Sequence, residues 1–265
     1  MSLLHARFDA LHRQPSPLLL CNAWDAASAR LWQEAGAPAI ATSSAAVAWS
    51  RGYADGGALP RAELLDSLRG MLRVTRVPLS CDVEAGYSDD PEAVAELVAE
   101  IAAAGAVGIN LEDGTDAPEL LAAKIAAIRR TLGGAPLFIN ARTDVCLRGM
   151  AQGDAAVAMV IARLGRYAAA GADGGFVPGL RAAHEAAAIA KAVPLLINLL
   201  AIDGLPSLEQ LALAGVRRVS AGSALFGATF AAGDSALRAY LRGNFRPCLD
   251  ARLDYARTNA LFAAD

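Results

Sequence analysis

The chain has 265 residues, a formal net charge of −3, and 55% apolar residues with only 6% aromatics. That length and alanine-rich composition suit one large packed core and exclude a disordered chain. Scattered Lys and Arg on a slightly acidic chain exclude the basic footprint of a nucleic-acid binder.

At the start, MSLLHARFDALHRQPSPLLL has no long apolar stretch ahead of a small-residue cleavage site, and no signal peptide is read there. No apolar run reaches the roughly 20 residues of a membrane span. Cys21, Cys81, Cys146 and Cys248 show no ligand spacing, which points to free thiols in a reducing compartment. The expectation is a cytoplasmic protein with no membrane or nucleic-acid partner.

Short apolar runs then recur in chain order: PLLLCNAW (17–24), PAIATSS (38–44), VPLSCDVE (77–84), AVGINLED (106–113), PLFINART (136–143), DGGFVPG (173–179), PLLINLL (194–200) and RRVSAG (217–222). Each reads as a parallel strand buried on both faces. Helical segments such as PRAELLDSLRGMLRVT, DPEAVAELVAEIAAAG and DAAVAMVIARLGRYAAAG separate them. Gly36, Gly105, Gly171 and Gly215 stand at helix ends, where a left-handed residue is needed. Pro38, Pro78, Pro136 and Pro194 stand at strand entrances, where a missing N–H does least harm. Eight such units predict an α/β fold, a closed (β/α)8 TIM-type barrel. The rival is an open doubly wound sheet, which wants a Gly-rich phosphate turn after the first strand; CNAWDAAS is not one. One domain over 1–265 is expected, with the barrel over about 17–232 and extra helices over about 233–265. The last stretch suits packing on a partner subunit or a plain terminal helix.

In such a barrel the active site lies at the C-terminal strand ends, and the polar residues gather there. They are Thr42-Ser43-Ser44, Asp82 and Glu84, Glu112-Asp113, Asn140, Arg142 and Asp144, and Asn198. Residues i and i+2 share a face, so Asp82 pairs with Glu84, Asn140 with Arg142, and Asn110 with Glu112. Asp82, Glu84 and Glu112, with no histidine or cysteine among them, make an oxygen-rich set that suits Mg²⁺ or Mn²⁺. Mg²⁺ takes only one or two carboxylates directly, so part of the set acts through water. The plainer reading of an acid at a strand end is a helix cap or a solvated loop residue. Asp144 reads as an anchor for its loop or for Arg142, Ser43 and Ser44 also as the start of a turn. His5, His12 and His184 receive no role.

NAWDAASARL (22–31), TSSAAVAWS (42–50), DVEAGYSDDPEAV (82–94), GINLEDG (108–114), NARTD (140–144) and AGADGGFVPG (170–179) together resemble the isocitrate lyase/phosphoenolpyruvate mutase superfamily over residues 18 to 225. The resemblance implies a (β/α)8 barrel, a homodimer or homotetramer built by exchange of C-terminal helices, and Mg²⁺-dependent chemistry on a C–C or C–P bond next to a small 2-oxo acid. It implies metal binding at Asp82, Glu84 and Glu112, and a substrate carboxylate on Arg142. Ser44, with the backbone of Ala45 and Ala46, matches the loop that cradles an anionic group; Asp55 in RGYADG matches an aspartate near the metal. Thr42 and Asn198 complete the expected substrate contacts.

There are departures. Lyases of the family carry Lys-x-Cys-Gly-His on the loop after the fourth strand, with the cysteine as general acid. Here that segment reads LEDGTDAPELLAAKIAAI, with neither cysteine nor histidine. Phosphonopyruvate-processing members place lysine and asparagine on this loop, and the first lysine here is Lys124, already in the next helix. The mutase histidine after the sixth strand falls on Pro178, and the lyase glutamate on Gly179. Cys146 is the one thiol near the expected mouth that could serve as an acid. The expected activity is a lyase-type cleavage next to a 2-oxo or 2-hydroxy acid through an enolate. A C–P enzyme of mutase or hydrolase type is the runner-up, and a non-catalytic barrel binding Mg²⁺ and a 2-oxo acid the third reading.

Overall fold

A computed structural model describes residues 3–263. Eight strands close into an all-parallel barrel in sequence order: β1 (Leu18–Ala23), β2 (Ile40–Thr42), β3 (Leu79–Asp82), β4 (Gly108–Glu112), β5 (Phe138–Arg142), β6 (Gly174–Phe176), β7 (Leu196–Leu200) and β8 (Val216–Ser220). Each falls on one of the apolar runs anticipated from sequence. The helices of this unit are α1 (Leu3–His12), α2 (Ala26–Glu34), α3 (Ser44–Ser50), α4 (Arg61–Val74), α5 (Pro91–Ala104), α6 (Pro118–Leu132), α7 (Gly153–Ala170), α8 (Ala183–Ala192) and α9 (Leu208–Leu213).

Local chemistry sets the boundaries. α5 starts where Asp90 accepts the Glu92 N–H and Pro91 supplies a preset φ, and it ends at Gly105, whose φ is +113°. The chain folds as two compact units, one ending at Gly222 and one beginning at Ser223.

Alternation along the strands layers the barrel interior. At the N-terminal end, Phe8 of α1 packs with Leu18, Leu20, Ala39, Ala41, Val107 and Phe138, and His12 stacks on Phe138 with ring centroids 4.5 Å apart. Gly174 makes room for the layer above: a Cβ there would lie 2.6 Å from Asn140 Oδ1 and 2.9 Å from the Phe138 ring. Asn110, Asn140, Asn198, Arg218 and Ser220 form a buried polar layer, unusual for a barrel interior that branched apolar residues normally fill. Above it lies the acidic mouth.

The second unit consists of α10 (Ala224–Leu241), α11 (Arg246–Asp250) and α12 (Tyr255–Leu261). It exposes Phe230, Leu237, Tyr240, Phe245, Leu249 and Tyr255. Among the described residues, no helix is long and apolar enough to cross a membrane.

Candidate active site at the barrel mouth

Asp82 ends β3 and is held on both sides. Its N–H donates to Thr42 Oγ1 at 2.7 Å, and its Oδ2 accepts the Ser44 N–H at 3.0 Å. Its Oδ1 is buried with no protein partner. The loop that follows is forced into an uncommon shape: Glu84 and Tyr87 both adopt left-handed backbone, at φ +50° and +58°, which costs of order 1 kcal/mol or more for each non-glycine residue. Surrounding contacts hold it there. Glu84 C=O accepts the Glu112 N–H at 2.9 Å, and Tyr87 O–H donates to Glu84 Oε1 at 3.0 Å. Lys124 Nζ, only 2% exposed, donates to Ala85 O at 2.8 Å. Gly86 must be glycine, since a Cβ would meet Val94 Cγ1 at 2.7 Å.

Across β4 and β5 the register sets Glu112 opposite Arg142. Arg142 Nη1 stands 2.5 Å from Glu112 Oε2, while its Nε and Nη2 fork onto Asp144 at 2.6 and 3.0 Å. Its guanidinium carbon lies 5.8 Å from the Phe176 ring centroid. Asp144 thus anchors Arg142. It is positioned in turn by Asp113, whose Oδ1 accepts the Asp144 N–H at 2.9 Å and whose Oδ2 accepts from Arg163 at 2.7 Å and Tyr167 at 2.6 Å. The two acids of Glu112-Asp113 point apart: Glu112 meets Arg142, and Asp113 meets Arg163 and Tyr167 of α7.

Burial is the largest influence on the acids. It pushes Glu112 up to about 8 against the pull of Arg142, with Asp82, Asp144 and Glu84 adding to the rise. Burial also raises Glu84, opposed by the Tyr87 hydrogen bond and assisted by Asp55 and Asp82. For Arg142, burial opposes the charge, but Glu112 and Asp144 outweigh it and raise the group.

Asp55 lies in an exposed turn within electrostatic reach of Glu84. Ser44, Ala45 and Ala46 open α3 at the rim, with the Ala46 N–H donating to Ser43 Oγ at 3.4 Å. Thr42 is buried, with its hydroxyl spent on the Asp82 backbone. Asn198 lies deeper than the mouth, bonded to Ser220 at 3.3 Å. Cys146 is half-buried, and burial, with Glu185 adding to it, pushes its thiol up, away from thiolate character. Sequence reasoning missed Tyr87 and the support from Lys124 and Asp113. The left-handed EAGY turn that Tyr87 and Lys124 hold leaves no periodic signal, and neither does the contact of Asp113 with the Asp144 N–H.

Among the described residues, no three His, Cys, Asp or Glu side chains are gathered closely enough to enclose an ion by themselves. The donors nevertheless fit Mg²⁺, which keeps several waters and takes one or two carboxylates. The orphaned Asp82 Oδ1 and the raised Glu84 are oxygen donors short of positive charge, while Glu112 already meets Arg142.

A family model described as phosphoenolpyruvate phosphomutase matches residues 8–241. The chain belongs to this family. An uncharacterized protein of Mycobacterium tuberculosis strain H37Rv is 38% identical over 245 residues, 91% of each chain. The 2-methylisocitrate lyase of Bacillus subtilis strain 168 is 32% identical, over 74% of this chain and 67% of its own. An oxaloacetate decarboxylase of Bradyrhizobium is 33% identical, over 70% of this chain and 66% of its own. A crystal structure from Burkholderia cenocepacia J2315, provisionally called a phosphonomutase, superposes with a TM-score of 0.84 at 39% identity, covering 88% of this chain and 97% of that one. A phosphonopyruvate hydrolase crystallised with oxalate and Mg²⁺ shares the fold at 22% identity, with a TM-score of 0.83 over 98% of this chain and 95% of that one.

Phosphoenolpyruvate phosphomutase relatives thus include enzymes of several chemistries on small carboxylic acids. Only residues 113–117 separate β4 from α6, too few for a long gating loop. At Gly179, φ is +87° and a Cβ would lie 2.9 Å from Leu147 N. The backbone itself bars an acidic side chain there.

Proposed function

We propose that the protein is a Mg²⁺- or Mn²⁺-dependent lyase-type enzyme that cleaves a C–C bond next to a small 2-oxo or 2-hydroxy (di)carboxylic acid. The observation that carries this reading is an Arg142 fixed in orientation by Asp144 and facing Glu112, with Asp82 and Glu84 within electrostatic reach of that acid. Asp82 and Glu84 would hold the cation, with Glu112 reaching it directly or through water. A bound Mg²⁺ supplies Lewis acidity toward a 2-oxo oxygen and lowers the cost of enolate charge as the bond breaks. Arg142, with its Nε and Nη2 already held by Asp144, would turn its Nη1 side to a substrate carboxylate. The Ser44 hydroxyl and the Ala45 N–H would face a second anionic group from the rim, with Ala46 N–H reaching it only by leaving Ser43 Oγ; Thr42 keeps Asp82 in register, and Asn198 lies below the substrate. Asp55, on its exposed turn, positions a water or accepts a proton.

Two features favour decarboxylation or retro-aldol cleavage over C–P chemistry. Residues 113–117 hold neither the lysine nor the asparagine that phosphonopyruvate chemistry wants. Decarboxylation also needs no enzymic acid to protonate a leaving group, and none stands at Pro178 or Gly179. The exposed apolar residues of α10 to α12 support a homodimer or homotetramer. The test is a Mg²⁺-supplemented screen of oxaloacetate, 2-methylisocitrate, isocitrate and phosphonopyruvate, each with an EDTA control. EDTA-sensitive release of a 2-oxo acid from a C–C substrate is expected. Turnover of phosphonopyruvate alone would reverse the assignment, and binding without any turnover would leave a non-catalytic barrel.

A further inference from the structure

Arg218 lies beneath the acidic mouth, and nothing in the proposed chemistry uses it. It stands on β8 beside Leu18 of β1 and Asn198 of β7, and it is 1% exposed. Its Nη2 donates to Asn110 Oδ1 of β4 at 3.2 Å. β4 and β8 are opposite strands of the closed barrel, so the side chain crosses the lumen. Asn110 Oδ1 is shared with Asn140 Nδ2, which donates at 2.8 Å. Arg218 Nε and Nη1 have no protein partner, nor has Asn140 Oδ1.

Among the described residues, no carboxylate accepts a hydrogen bond from this guanidinium. Below it, His12 offers no compensating charge. Its Nδ1 donates to Phe8 O at 2.8 Å, and burial lowers the ring to about 4, so it is neutral at neutral pH. Above it, Asp82 is the acid whose field reaches the group, and the register Asp82↔Asn110↔Asn140 sets that acid over the polar layer. Burial lowers Arg218 to about 9, so it remains a cation at neutral pH. A buried, unpaired cation is costly, and an apolar residue would serve stability better.

We infer that Arg218 is a cationic floor to the site, a positioning residue whose fixed charge favours small dianionic carboxylates and weakens retention of the metal. This rests on the metal-assisted carboxylate reading above. A strut that merely braced Asn110 would, on removal, loosen metal and ligand together. A cationic floor moves them in opposite directions, because like charges repel the metal and attract the anion.

The test compares full-length wild type, Arg218→Met and Arg218→Lys by titration with Mn²⁺, and with oxalate in the presence of Mn²⁺ or of EDTA. For Arg218→Met, Mn²⁺ binding about tenfold tighter and oxalate binding about tenfold weaker are expected, with Arg218→Lys within about threefold of wild type in both. Parallel weakening of both ligands, or no change in either, overturns the inference. If Arg218→Met does not fold, Arg218→Lys decides: a folded lysine variant with a tenfold loss of oxalate affinity overturns it. A wild type that binds no Mn²⁺ sinks the metal reading separately; the oxalate titration in EDTA then decides, and equal affinity in wild type and Arg218→Met, or no binding by wild type, overturns the floor.

Discussion

Arg142 and Asp144 form a closed fork, with Nε and Nη2 of the guanidinium 2.6 and 3.0 Å from the two carboxylate oxygens. This leaves Nη1 toward Glu112 and the mouth. Orientation here comes from planarity, which lysine lacks. Arg142→Lys is therefore expected to retain the fold but lose about a hundredfold or more in kcat/KM on whichever substrate turns over. Steady-state kinetics beside a thermal melt checks this; near-wild-type turnover would remove Arg142 from the site.

Asp82 separates charge from architecture. Asparagine in its place still offers an oxygen to the Ser44 N–H and a backbone N–H to Thr42, so Asp82→Asn should melt close to wild type. Its Mn²⁺ affinity should fall about a hundredfold, since a hard cation loses an anionic oxygen. In wild type the same titration should tighten as pH rises toward 8, because burial holds a proton on Glu112 up to about that value and the cation competes with it. Affinity independent of pH would mean Glu112 stays outside the metal's reach.

The buried Lys124 ammonium acts on the Ala85 carbonyl in the middle of the left-handed turn. Lys124→Met keeps the stem and removes the donor, leaving a carbonyl unsatisfied at a cost of about 1–3 kcal/mol. A loss of about tenfold in Mn²⁺ affinity is expected with the helical signal unchanged. Denaturant unfolding and Mn²⁺ titration together read both effects, and an intact metal affinity would confine Lys124 to stability.

Gly179 stands where an acidic side chain does not fit. Glutamate there would demand left-handed backbone and would push a Cβ against the Cys146–Leu147 peptide. Gly179→Glu should lower the melting temperature and restore no isocitrate or 2-methylisocitrate cleavage. Cleavage gained by this single change would show that the loop near Leu147 moves aside.

The eight strands were legible because each is a short apolar run bounded by proline or glycine, and buried parallel strands leave that mark. The alternation that sequence offers holds inside the strands: Glu112 and Arg142 repeat the parity of Asn110 and Asn140, and Asp82 pairs in register with Asn110. What could not be read depends on the third dimension. Tyr87 reaches Glu84 only because two residues take left-handed backbone. Asp113 is a hub for groups 31 to 54 residues away in sequence. Arg218 reads as an ordinary charge in RRVSAG until β4 is found across the lumen. The division after Gly222 stands just ahead of α10, which begins at Ala224.

His12 gives a prediction about stability that is independent of the mouth. It is buried in the plug beneath the barrel, and burial, aided by Arg218, lowers it from 6.5 to about 4. A folded value below the unfolded one means that the unfolded chain binds the proton first as pH falls. The contribution of His12 is therefore fully present above 6.5 and is lost as pH falls through 4, an effect of about 3 kcal/mol. His12→Phe keeps a ring stacked on Phe138 but cannot titrate. Its unfolding free energy should change by about 3 kcal/mol less than that of wild type between pH 7.5 and pH 4. Urea unfolding at the two pH values measures the difference, and equal acid sensitivity in the two proteins would place the acid lability elsewhere.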